Sequence, residues 1–255
     1  MAASCRAAVA AGVTEIAFTD HVDHEPSDPG CDYYRAEDYH RAIEAVRSEF
    51  GSDLTILAAA EVDFNEAIAA KVERFLSSQR YDFVIGSVHY AVGGEIIFPA
   101  YFNGRSLDDV FVPYFDQVKL AVETGWFDSI GHLDLPKRYA PASHREYDPL
   151  AYRDHLEPVF AALIERGVAF EINTSGLRQT PKTSMPGPAI VRWYVEAGGQ
   201  LVTTGTDSHA AQTVGAGLPK TLDMLELCGI PSVAAFRGRV RRQVSIPQLR
   251  RGITS

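Results

Sequence analysis

Several large functional classes are excluded by what this chain lacks. Its 255 residues include only three cysteines. Cys5, Cys31 and Cys228 lie far apart and form no C-x-x-C, so neither a disulfide framework nor a cysteine-based zinc site is expected. There is no basic block either: 24 Lys and Arg stand against 33 Asp and Glu, for a formal net charge of −9. That balance argues against nucleic acid or an anionic membrane surface as a partner. No apolar run reaches transmembrane length, and the Ala-rich stretch from Met1 to Gly12 reads as a helix, not a signal peptide. A soluble, cytoplasmic protein is expected. Internal repeats and low-complexity linkers are missing too, so residues 1–255 read as a single domain.

What is present is an alternation. Apolar, β-branched runs at Thr14–Thr19, Leu54–Ala60, Phe83–Val88, Phe127–Gly131, Val168–Asn173 and Gln200–Gly205 read as strands, with a terminal strand at Ser232–Phe236. Helical patterns fill the intervals: Ala2–Ala11, Ala36–Phe50, Glu66–Ser78, Leu107–Glu123, Leu150–Arg166, Gly187–Ala197 and Leu218–Leu227. Gly12, Gly125, Gly167 and Gly198 act as helix stops. Strand–helix alternation predicts an α/β protein with a parallel sheet, open or closed into a barrel. Two long connections, Val22–Arg35 and Tyr90–Ser106, follow strands and are candidate active-site loops.

The chemistry is concentrated where strands end. Successive strands run into Asp20 and His21, then Glu61 and Asp63, His89, His132 and Asp134, Glu171 and Asn173, and lastly Asp207 and His209. In a parallel α/β barrel those ends open onto one rim. Imidazoles mixed with carboxylates suit Zn, Mn or Fe. Two such ions sharing a carboxylate can clamp a phosphoryl group and lower the pKa of water. Lys137, Arg138 and Arg178 follow two of these strands, and arginine meets phosphate oxygens bidentately. An anionic phosphate ester is therefore the expected small-molecule substrate. His24 is near enough to the rim to remain a candidate, whereas His40, His144 and His155 read as surface residues.

Six segments in order, FTDH (18–21), AAEVD (59–63), GSVHY (86–90), GHLDLPKR (131–138), EINTSGLR (171–178) and TGTDSH (204–209), resemble the PHP family. More narrowly they resemble its histidinol-phosphatases. The resemblance implies a distorted (β/α)7 TIM-like barrel with up to three divalent metals. It implies Glu61, His89 and His132 on one metal, Glu61 and Asp207 on a second, and His21 and His209 on a third. Arg138 and Arg178 would bind phosphate, and Glu95 would meet the amine or imidazole of histidinol. Asp20 would orient His21, and a metal-bound water or a nearby acid on the Asp207 or His209 side would protonate the leaving alkoxide. Members of the family open with a strand carrying His-x-His, and this sequence has no His-x-His. The expectation is thus a PHP domain lacking its first strand, with fewer metals than the full site. Two alternatives stay open: another phosphate monoester as substrate, or a non-catalytic, metal-depleted remnant.

Overall fold

The computed structural model describes residues 1–91 and 94–253. Its strands are β1 (Glu15–Val22), β2 (Thr55–Asp63), β3 (Phe83–Ser87), β4 (Tyr90–Ala91), β5 (Gly94–Glu95), β6 (Ser129–Ile130), β7 (Ala169–Asn173), β8 (Val202–Gly205), β9 (Ser232–Arg237) and β10 (Val240–Ser245). The helices are α1 (Ala2–Ala10), α2 (Ala36–Phe50), α3 (Ala69–Ser78), α4 (Leu107–Thr124), α5 (Pro136–Tyr139), α6 (Arg153–Arg166), α7 (Ser175–Arg178), α8 (Pro188–Glu196), α9 (Leu218–Leu227) and α10 (Ile246–Arg250).

Six strands form one sheet in the order β1-β2-β3-β6-β7-β8. Every pairing in it is parallel, and helical segments connect the strands, as crossover connections require. The sheet curls, because one cavity is lined by Ile16, Glu61, Phe83, Glu171 and Thr203 from β1, β2, β3, β7 and β8 together. Among the described residues β1 and β8 remain its outer strands. The cleft of about 280 Å³ between them reaches Glu61, Glu171, Asn173 and Asp207 from the flank. This agrees with the expected barrel that stops short of closure.

The terminal strand forms as expected, but outside the main sheet. β9 pairs antiparallel with β10, which the sequence pattern did not disclose because Arg241 and Arg242 interrupt its apolar residues. The β4–β5 hairpin was also not anticipated. The sheet is covered by helices whose apolar faces hold Phe111, Tyr114, Phe115, Phe160 and Tyr194, all fully buried. Helix α4 starts with a reciprocal capping box between Ser106 and Asp109 and ends at Gly125, whose φ of 68° is left-handed. Such caps satisfy the orphan amides and carbonyls of the helix ends. Register then delivers the site: His21 lies opposite Glu61, and Asp63 opposite Ser87.

Candidate metal and phosphate site

The strand ends converge on a mouth of about 310 Å³ lined by His21, Glu61, His89, His132, Asp207 and His209, with Glu95 and Arg138. Glu61 is its hub. Its carboxylate oxygens lie 3.7 Å from His21 Nε2, 3.5 Å from His89 Nε2 and 3.2 Å from His132 Nε2. Ligand atoms of His21, Glu61 and His89 all fall within 4.8 Å of one another. Rings continue the cluster: His89 and His132 have centroids 5.3 Å apart, and His21 and His209 5.9 Å. Burial pushes the Glu61 carboxyl up, but the imidazoles of His21, His132 and His89 outweigh burial and hold it well below the usual range. Burial drives His89 toward neutrality, yet Asp63 and Glu61 raise it well above an ordinary imidazole.

Bonds beneath the mouth fix its groups. Ser87 donates its hydroxyl to Glu61 Oε1 at 2.6 Å. Asp63, fully buried, accepts the His89 backbone N–H at 2.9 Å and lies 3.4 Å from its Nδ1. The sequence placed Asp63 at the strand end without giving it this orienting position. His132 has a left-handed φ of 24°. Its N–H donates to Glu171 Oε2 at 3.1 Å, and its carbonyl accepts from the Tyr114 hydroxyl at 2.9 Å. Glu171 is pushed up to about 8 by burial, with Glu61 and Asp207 adding to the shift. Its side chain runs over Gly205, where a Cβ would stand 1.8 Å from Glu171 Oε1, so only glycine fits.

Asp207 also has a left-handed φ, 47°, which turns its carboxylate inward. Oδ2 accepts from Arg138 Nη1 at 2.5 Å and from Ser175 Oγ at 3.1 Å. Oδ1 lies 3.3 Å from His209 Nδ1. Burial and Glu61 push its carboxyl up, but Arg138 and the His132 and His209 imidazoles outweigh them and leave it below its ordinary range. Asn173 bridges Glu171 and Asp207 through its amide.

Four expectations are corrected. Asp20 does not orient His21. Alternation along β1 sends it to the other face, where it lines the flank cleft instead of the mouth. Asp23 stands where Asp20 was expected: Oδ2 is 3.9 Å from His21 Nδ1, and Oδ1 is 4.0 Å from His89 Nδ1. No local pattern distinguishes Asp23 in the loop, because only the loop's path brings it back over the strands. Arg178 does not line the mouth either. Its Nη2 donates to the Thr206 carbonyl at 2.7 Å, behind Asp207. His24 is withdrawn, since its Nδ1 pairs with Asp32 at 2.8 Å and its ring packs on Phe75. Glu95 does reach the mouth, from β5, on the same side as Asp23 and Asp28. His144, expected at the surface, is buried, with Nδ1 on Ser143 and Nε2 on the Arg105 carbonyl.

The chain as a whole resembles known proteins. The PHP domain family matches residues 1–175. "Probable histidinol-phosphatase" of Deinococcus radiodurans is 33% identical over 82% of this chain and 80% of its own length. "Histidinol-phosphatase" of Lactococcus lactis is 28% identical over 91% of this chain and 86% of its own. A crystal structure of the Lactococcus lactis histidinol phosphate phosphatase, complexed with Zn, L-histidinol and phosphate, superposes with a TM-score of 0.85 at 25% identity, covering 94% of this chain and 91% of that one. A second solved structure, the putative histidinol phosphatase of Listeria monocytogenes, shares the fold with a TM-score of 0.74 at 20% identity, over 86% of this chain and 92% of its own. The match over most of the chain, together with the Deinococcus relative, establishes that the chain belongs to the PHP domain family.

Proposed function

We propose that the chain is a metal-dependent phosphomonoesterase that hydrolyses L-histidinol phosphate to L-histidinol and phosphate. The observation that carries this reading is a single mouth holding four imidazoles, the Glu61 and Asp207 carboxylates and the Arg138 guanidinium. Family membership and the histidinol-phosphatase relatives point the same way.

The donor set fits divalent metal. Nitrogen and carboxylate oxygen in one cluster suit Zn, Mn or Fe, and Glu61 faces three imidazole rings at once. We assign Glu61, His89 and His132 to one metal, Glu61 and Asp207 to a second, and His21 and His209 to a third. Bound metal would place positive charge against the phosphoryl oxygens and lower the pKa of water.

The chain's own groups do the rest. Arg138, aimed by Asp207, donates to the phosphate. Arg178 acts from behind, adding positive charge near Asp207. Asp63 holds the His89 ring in place, and Asp23 places a carboxylate beside His21 without a hydrogen bond to it. The leaving alkoxide takes its proton from water at the solvent-facing rim beside His209. Asp207, kept ionised by Arg138, is a poor acid for that step. Asp23, Asp28 and Glu95 form an acidic wall opposite the cations, suited to the amine and imidazole of histidinol.

The test is phosphate release from L-histidinol phosphate with added Zn or Mn, against a His89→Ala control. Release above the control supports the reading. No release above the control, or a strong preference for a nucleotide monophosphate, overturns it.

A further inference from the structure

Helix α5 sends its two cations to different cavities. Arg138 faces the mouth, whereas Lys137 faces a separate cavity of about 360 Å³. Lys137 Nζ donates to the Ser184 carbonyl at 2.9 Å and pairs with Asp134 Oδ2 at 2.7 Å. Asp134 is 1% exposed, and its other oxygen, Oδ1, has no hydrogen-bond partner among the described residues. The Tyr147 hydroxyl is likewise buried and unpartnered, with its ring stacked on Phe111. At the rim of the same cavity, Arg145 and Arg192 are exposed, and no side-chain ion pair or hydrogen bond engages either among the described residues. The rest of the wall is mixed: Pro149, Pro181 and Ile190 form an apolar stretch, and His144, Thr180 and Thr183 are polar.

A buried carboxylate oxygen without a donor is costly, and a ligand that supplies one recovers that cost. A purely anionic ligand would suit the arginines and meet repulsion at Asp134. A purely cationic ligand would suit Asp134 and meet three cations. We propose that this cavity binds a free amino acid in its zwitterionic form. Its ammonium donates to Asp134 Oδ1, its carboxylate pairs with Arg145 and Arg192, and its side chain lies on the proline and isoleucine wall. Tyr147 completes the carboxylate contact. This site is separate from the phosphatase reading, which uses none of these residues.

Isothermal titration of the full chain tests the proposal, with L-leucine as the probe. Its amine-free analogue 4-methylpentanoate, its carboxylate-free analogue isoamylamine, and inorganic phosphate serve as comparisons. Saturable L-leucine binding is expected, with each analogue weaker by roughly tenfold, the loss of one charge-assisted contact. Arg192→Gln and Arg145→Gln should each weaken L-leucine by roughly tenfold and leave phosphate-ester turnover unchanged. The proposal is overturned by no saturable L-leucine binding. It is equally overturned if both variants leave that binding unmoved, or if phosphate binds as tightly as L-leucine and is lost in Arg192→Gln.

Discussion

The two halves of the mouth are built differently. In the half from β6 to β8, the chain's own bonds hold Asp207, Glu171 and the His132 backbone, while His209 faces solvent. Arg138, Ser175 and Asn173 tie Asp207, Asn173 and the His132 amide tie Glu171, and Tyr114 ties the His132 carbonyl. In the half from β1 to β3, Ser87 and Asp63 hold Glu61 and His89, but His21 has a 43% exposed side chain and its closest charged neighbours stand 3.7 and 3.9 Å away. The first kind of construction is rigid, and in the proposed reading its Arg138 is the seat of the phosphate. The second leaves ligand atoms facing one another across a gap, an arrangement that a bound cation would complete.

That contrast can be broken. The largest expected effect is on Glu61, which both halves share: Glu61→Gln should lower kcat/KM by roughly 10³-fold or more, measured by phosphate release. Arg138→Lys tests the seat, and a loss of roughly 10²-fold is expected because a point charge does not replace a planar fork. An Arg138→Lys variant with full activity would dissolve the distinction between the halves. Asp63→Asn should weaken metal affinity by roughly 10–100-fold in a Zn titration, through the orientation of His89. Zn at a hundredfold excess over Kd should stabilise the chelator-treated protein by about 2.7 kcal/mol, and histidine NMR signals should sharpen for His21 and His89 more than for His132. The smallest effect is Tyr114→Phe, expected to cost about 1 kcal/mol of stability in denaturant unfolding.

Most of the sheet and the ligand cluster were legible because both are written locally. A run such as Thr55–Asp63 carries its strand propensity and its terminal Glu61 in one segment. Alternation along β1 would have warned against Asp20, since neighbours in a strand point to opposite faces. Asp23 was not legible, because its place depends on how the Val22–Arg35 loop folds over the strands. The hairpin partner β10 was hidden by charge: Arg241 and Arg242 stand on its opposite faces, both exposed, and Arg242 pairs with Glu15. The cavity behind α5 joins residues from Asp134 to Arg192, a separation no spacing rule addresses.

The gap between β1 and β8 has a consequence for the strength of everything inside. Among the described residues, that cleft leads from the flank to Glu61, Glu171 and Asp207 without passing the mouth. Solvent admitted along it would screen charge, so attraction among these groups would be weaker than in an enclosed site. A bulky ester seated at the mouth would not by itself seal the carboxylates off.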